Sequence, residues 1–252
     1  MEIINSKKET PEQGGLRLVP ESLALEMPKL EKQFVNFMFF RVNPEWRKLD
    51  AGTKAVCKSE FQSVFDRYRE HFLLFSYSLV GFDSKADLMF WRIGTSLDLI
   101  QEMTAKLYRT SLRSYFETAD NYLSITKKRV FVVDGDDDDR RHVKAGEKKY
   151  LFVYPCTKNR EWFEKSDEER DYLIEENFMV GKRFSNIKIH MTHAFGFSEQ
   201  EYIISFETDE PRDFLALAEE LRETPASKFT LRGMPIYTCR QKPLMECLDA
   251  LG

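Results

Sequence analysis

The chain repeats itself, and that repetition limits the folds open to it more than any other feature. Phe34 and Tyr150 stand 116 positions apart, and at that offset Asn43, Glu45 and Trp46 (NPEW) fall on Asn159, Glu161 and Trp162 (NREW). Gly81-Phe82 and Gly196-Phe197 match at an offset of 115. Ordered matches with one residue of drift signal an internal duplication. Hydrophobic periodicity agrees with it. In the first half, QFVNFMFFRV (Gln33 to Val42) predicts a strand, and Cys57, Phe61, Val64, Phe65 and Tyr68 form an apolar stripe on a helix over roughly Ala51 to Glu70. Phe75, Tyr77 and Leu79 alternate with serines, and DLMFWRI (Asp87 to Ile93) returns to make a hairpin. Leu97, Ile100, Met103, Leu107 and Leu112 mark a second helix capped by Ser96, and Tyr122 to Thr126 reads as the last strand. The second half runs in the same order. KKYLFVYPC predicts a strand, Ser166 and Glu169 a capping box for a helix to about Val180, and NIKIHMTHAFGF with EYIISFETD a hairpin. Asp209 is positioned to cap a helix striped by Phe214, Leu217, Ala218 and Leu221, and MPIYTC closes the series.

A β-α-β-β-α-β unit is the ferredoxin-like arrangement, an antiparallel sheet with helices on one face. Two such sheets have apolar uncovered faces, and packing them on each other buries both. The expected fold class is therefore α+β, with two ferredoxin-like repeats forming a dimeric-type α+β barrel within one chain. Residues 1–31 read as a flexible N-terminal arm, 32–130 as the first repeat, 131–147 as an acidic linker and 148–252 as the second repeat. The linker gathers Asp134, Asp136, Asp137, Asp138 and Asp139. Counted from Asp134, an EF-hand would need Gly and Glu where Asp139 and Ala145 stand, so the run reads as solvated charge rather than a calcium loop.

With 252 residues, 42% of them hydrophobic, the chain can bury a substantial core. Its net charge of −4 leaves no footprint for a phosphate backbone, so nucleic acid is not an expected partner. No apolar run is long enough to span a bilayer and Met1 to Gly15 is polar, which leads to the expectation of a cytoplasmic protein with no membrane partner. Cys57, Cys156, Cys239 and Cys247 show no CxxC spacing and read as reduced thiols. His190 and His193, three apart in a strand, point to opposite faces and cannot form a two-histidine metal site.

The string YPCTKNREWF, then SDEERDYLIEENFMVGKRF, then HAFGFSEQEYIISFETDEPRDFLALAEELRE, resembles the chlorite dismutase-like superfamily, which includes chlorite dismutases and coproheme decarboxylases. The resemblance covers roughly Gln33 to Gln241 and is dense from Tyr150 onward. It implies haem or coproheme in the second repeat, self-association into a ring such as a homopentamer, and oxidoreductase chemistry of decarboxylase or peroxidase type. It places Lys158 and Trp162, with Asn121 and Tyr122 of DNYL, near the porphyrin propionates, and Tyr154 at the redox-active tyrosine of coproheme decarboxylases. An ammonium and an indole N–H both suit carboxylates. Two departures stand out. Asn177 occupies the position of the proximal iron-ligating His, and a neutral amide oxygen is a weak donor to haem iron. Ile189 occupies the position of the distal Arg, where one class of decarboxylase has Gln, so chlorite dismutation is not expected. His193 shares the Ile189 face and is the substitute iron ligand to consider. The alternative is a family member that has lost haem and serves as a non-enzymatic oligomeric barrel or holds another ligand.

Overall fold

The computed structural model describes residues 17–18, 32–126, 131–132, 143, 145–231 and 235–252. The acidic run from Asp134 to Asp139 and nearly all of the N-terminal arm lie outside these residues. In the first repeat the order is β1 (Phe34–Val42), α1 (Ala51–Arg67), β2 (Leu73–Ser78), β3 (Leu88–Gly94), α2 (Leu97–Tyr108) and β4 (Phe116–Ile125). The second runs β5 (Tyr150–Cys156), the one-turn α3 (Arg160–Phe163), α4 (Asp167–Lys182), β6 (Lys188–His193), β7 (Tyr202–Thr208), α5 (Pro211–Glu223) and β8 (Tyr237–Gln241), followed by a short α6 (Leu244–Asp249). The eight strands close into a barrel in the order β8-β2-β3-β1-β4-β6-β7-β5, every ladder antiparallel. Within each half the first strand lies between the third and fourth, which is ferredoxin-like order. The halves join through short ladders, Ile125 opposite His193 at one seam and Arg240 opposite Ser78 at the other.

The matched letters of the duplication have local causes. Asn43 and Asn159 each cap a short helix, Oδ1 accepting from Glu45 N at 2.9 Å and from Trp162 N at 3.2 Å. Trp46 and Trp162 are both fully buried behind those caps. Gly81 and Gly196 turn the chain with φ of +82° and +91°, the left-handed region that glycine enters without penalty. The Ser166–Glu169 capping box forms as expected, whereas α5 is capped by Glu210 because Pro211 takes its first turn. Asp209 instead accepts from the backbone N–H of Lys149 at 3.0 Å.

Inward-facing side chains fill the barrel. Phe37 stacks on Trp91 and Phe39 on Tyr237, with Leu151 and Ile203 beside them. Of the polar groups there, Glu207 accepts from Gly146 N at 2.8 Å and lies 2.8 Å from His190 Nε2, whereas the Tyr77 hydroxyl and the Trp91 indole N–H are buried without a hydrogen-bond partner. Outside, the two repeats differ. Helix α1 presses Cys57, Phe61, Val64 and Phe65 onto the first sheet in one continuous apolar layer. Helix α4 buries only Leu173, Glu175 and Gly181, and the apolar layer of the second repeat divides into two clusters. All four cysteines are buried free thiols.

Candidate functional site

Between those two clusters lies a cleft with about 530 Å3 of atom-free space, open solvent at its mouth included. One wall is the outer face of the second sheet. Period-two alternation puts Ile189 and Met191 of β6 on it together with Tyr202, Ile204 and Phe206 of β7. The opposite wall is α4, which presents Ile174, Asn177 and Phe178 at helical spacing. Nearly all of these groups are apolar, as a slot for a flat hydrophobic ligand requires.

Polar chemistry is concentrated at one end. Lys158 follows β5, and its Nζ donates to Thr230 Oγ1 at 2.8 Å and to Ala226 O at 3.4 Å while lying 4.6 Å from the Trp162 ring centroid. These acceptors are neutral, and among the described residues no carboxylate forms an ion pair with Lys158. Desolvation pulls its pKa below the ordinary lysine value, and nearby Cys156 and Glu201 act in the opposite direction. Trp162 is held by the Asn159 cap and packs edge-on to Tyr202, whose own hydroxyl is raised by burial. The Glu201 carboxylate accepts from the Lys158 backbone N–H at 2.7 Å, not from its ammonium, so this cation over an indole at the edge of an apolar cleft suits an incoming carboxylate.

Four expected residues, Lys158, Trp162, Asn177 and Ile189, line this one cleft. Tyr154 sits half-buried in the packing of both neighbouring clusters with its hydroxyl raised by burial, outside the set that lines the opening. His193 lies on the Ile189 face and meets Tyr202 edge-on at 5.1 Å, whereas His190 points into the barrel. Asn121 and Tyr122 lie apart from the group. Tyr122 points into the barrel against Phe39 and Tyr237, and Asn121 lines a different cleft, accepting from Asn36 Nδ2 at 2.8 Å. Alternation along β4 explains the split, since neighbours in a strand face opposite sides. Arg183 caps α4 and pairs with Glu220 of α5 at 2.5 Å. Tyr202, Met191 and Phe178 went unassigned in the sequence reading, although the alternation of EYIISFETD places Tyr202, Ile204 and Phe206 on one face.

An iron porphyrin fits this cleft at its edge and not at its centre. The apolar walls suit a macrocycle and Lys158 suits a propionate, but the helix wall offers an amide in place of an imidazole. Asn177 Oδ1 is buried without a hydrogen-bond partner, so it would welcome a donor rather than serve as a strong iron ligand. Among the described residues no group of three His, Cys, Asp or Glu is arranged to hold a metal ion, and no helix is long and apolar enough to cross a membrane.

Comparison with known proteins places the chain in a family. The chain is 21% identical over 227 residues to a chlorite dismutase of Ideonella dechloratans, covering 87% of this chain and 80% of that one. It is 25% identical over 168 residues to a coproheme decarboxylase of Mycolicibacterium smegmatis, covering 64% and 70%. Its fold superposes on a chlorite dismutase of Candidatus Nitrospira defluvii solved with imidazole, with a TM-score of 0.76 at 23% identity over 86% of this chain and 94% of the other. A haem-binding protein of Thermus thermophilus gives the same TM-score at 20% identity over 88% and 95%. A family model described as chlorite dismutase matches residues 54–242, about three quarters of the sequence. The chain belongs to the chlorite dismutase family.

Proposed function

We propose that the cleft of the second repeat binds haem or coproheme, with a propionate at Lys158 and the macrocycle between α4 and the sheet. The observation that carries this reading is Lys158, a half-buried cation stacked on Trp162 and held by neutral acceptors at one end of an apolar slot. Relatives described as coproheme decarboxylase and haem-binding protein support it. A bound iron porphyrin would supply redox chemistry at its iron, and decarboxylase- or peroxidase-type oxidation would call on Tyr154. Ile189 brings no cation to hold an oxyanion, so chlorite dismutation is not part of the proposal. Titration with hemin and with coproheme, followed in the Soret region, tests it. Saturable binding near one per chain is the expected result, and no spectral change with either would overturn it. A ring of subunits is proposed from the family alone, and light scattering measures it.

A second reading is favoured by Asn177. Its buried, unpartnered amide oxygen is a weak ligand for iron, so the cleft suits a flat acid that brings no metal to be ligated. On this reading the haem chemistry is gone and the cleft holds a flat acid without iron. Fluorescence titration with metal-free coproporphyrin separates the two: tighter binding than coproheme favours this reading, weaker binding the first.

A further inference from the structure

The first repeat carries a cleft of its own, which the porphyrin reading does not use. It lies under α2 on the outer face of β1, β3 and β4, beside the β4–β6 seam, and encloses about 730 Å3 of space open to solvent. Its floor holds Arg92, only 2% exposed. The guanidinium Nε and Nη2 donate to Asn36 Oδ1 at 3.0 and 2.6 Å, Nη2 also to Met38 Sδ at 3.4 Å, and Nη1 to Thr104 Oγ1 at 2.7 Å and to Ile100 O at 3.3 Å. Every one of these acceptors is neutral, and among the described residues no carboxylate forms an ion pair with Arg92. Burial pulls its pKa down to about 10, which still leaves it charged at neutral pH. All five N–H groups of this buried cation are thus held by neutral acceptors, and exchanging the weaker of them for an anion would offset its charge.

A second arginine stands behind the same wall. Arg113 lies 4.1 Å from the Tyr108 ring centroid, its Nη2 3.5 Å from Thr118 Oγ1, and its Nε is buried with no partner. Tyr108 and Thr118 both line the cleft and hydrogen-bond to each other at 3.0 Å. One guanidinium thus lies in the pocket and another directly behind its lining, while the remaining surface is partly apolar, at Met38, Leu97 and Leu123.

We propose that this cleft binds a small organic carboxylate, its carboxylate neutralising Arg92 and its apolar body lying on Met38, Leu97 and Leu123. Planar guanidinium and planar carboxylate match in geometry, and exchanging the neutral Thr104 hydroxyl on Nη1 and the weak Met38 Sδ acceptor on Nη2 for the two carboxylate oxygens strengthens both bonds. The apolar half of the lining argues against inorganic phosphate, whose oxygens need donors on all sides.

Isothermal titration of the full chain with benzoate, using benzamide and inorganic phosphate as controls, tests the proposal. Benzoate should bind saturably at one per chain and at least tenfold more tightly than either control. Arg92→Gln should abolish this, and because that buried change can unfold the protein, Gln101→Trp provides a second test. Gln101 is exposed on α2 and lines the cleft, so an indole there should block the opening and lower benzoate affinity at least tenfold while the melting temperature holds. Equal binding of benzamide, preference for phosphate, no binding by folded protein, or unchanged binding in Gln101→Trp would each overturn the assignment.

Discussion

Ile189 of β6 rests its Cδ1 directly against the backbone of Gly181 in α4: a Cβ added to Gly181 would fall 2.3 Å from it. Strand and helix therefore touch one turn beyond Asn177, and Ile189 also lines the second-repeat cleft. Ile189 is the yielding partner, because the colliding atom is the tip of a flexible side chain that can turn into the opening. Gly181→Ala should therefore lower stability only modestly, by about 1 kcal/mol, while narrowing the cleft. Parallel urea unfolding and coproheme titration should show affinity falling further than stability. Undiminished affinity would mean that the ligand does not reach Ile189.

Asn177 faces the same opening from the helix wall with its amide oxygen unpartnered. Asn177→His replaces a weak oxygen donor by an imidazole at the position that the sequence resemblance gives to the family's iron ligand. Coproheme affinity should rise at least tenfold, with a shifted Soret band marking a new axial ligand. His193→Ala in the native chain is the companion measurement. A changed spectrum would make His193 the iron ligand, and the expected result is no change, because it meets Tyr202 rather than lining the cleft.

The barrel was legible in the sequence because the duplication records local physics twice: an Asn cap before a buried Trp, and a left-handed glycine turn after the second strand of each repeat. Periodicity placed most other elements but not all of their bounds: β4 begins at Phe116 rather than Tyr122, and Leu112 lies in a separate turn beyond the end of α2 at Tyr108. Pro211 moved the cap of α5 from Asp209 to Glu210, and the six residues of α6 are too few to show a helical stripe. The cleft of the second repeat was legible through Lys158 and Trp162 but not through Asn121 and Tyr122. A motif names neighbours in sequence, and a strand sends neighbours to opposite faces. The pocket around Arg92 left one trace, a charged residue on the same strand face as Leu88 and Phe90, which both lie in the helix-covered layer. Its partner Asn36 is 56 positions away, and nothing in the sequence links the two.

Lys158 should set the pH dependence of acid binding. Its folded pKa lies below the ordinary 10.5, so the unfolded chain holds this proton more tightly than the folded one does. Stability contributed at this site is therefore lowest below the folded pKa and rises as pH climbs through it toward 10.5. Ligand affinity should run the other way: a propionate prefers the ammonium, so binding should weaken as pH rises through the lowered pKa. Lys158→Met should reduce coproheme affinity roughly tenfold, about 1.4 kcal/mol, at neutral pH and flatten this alkaline decline. An unchanged pH profile in the variant would assign the decline to another group.

Tyr122 and Tyr237 give the converse test, for residues inside the barrel rather than in the cleft. Tyr237 donates its hydroxyl to Asp120 and stacks on Phe39 at 3.9 Å, and burial pushes the neighbouring Tyr122 up to about 12. Tyr237→Phe keeps the stack and leaves Asp120 short of a donor, which should cost roughly 1–3 kcal/mol in urea unfolding. Because both rings face inward, Tyr237→Phe and Tyr122→Phe should each leave coproheme affinity within about twofold, the ordinary scatter for a residue that does not touch the ligand. A loss of affinity in Tyr122→Phe without loss of stability would put that hydroxyl in contact with the ligand, and would require β4 to turn this side chain outward when the cleft fills.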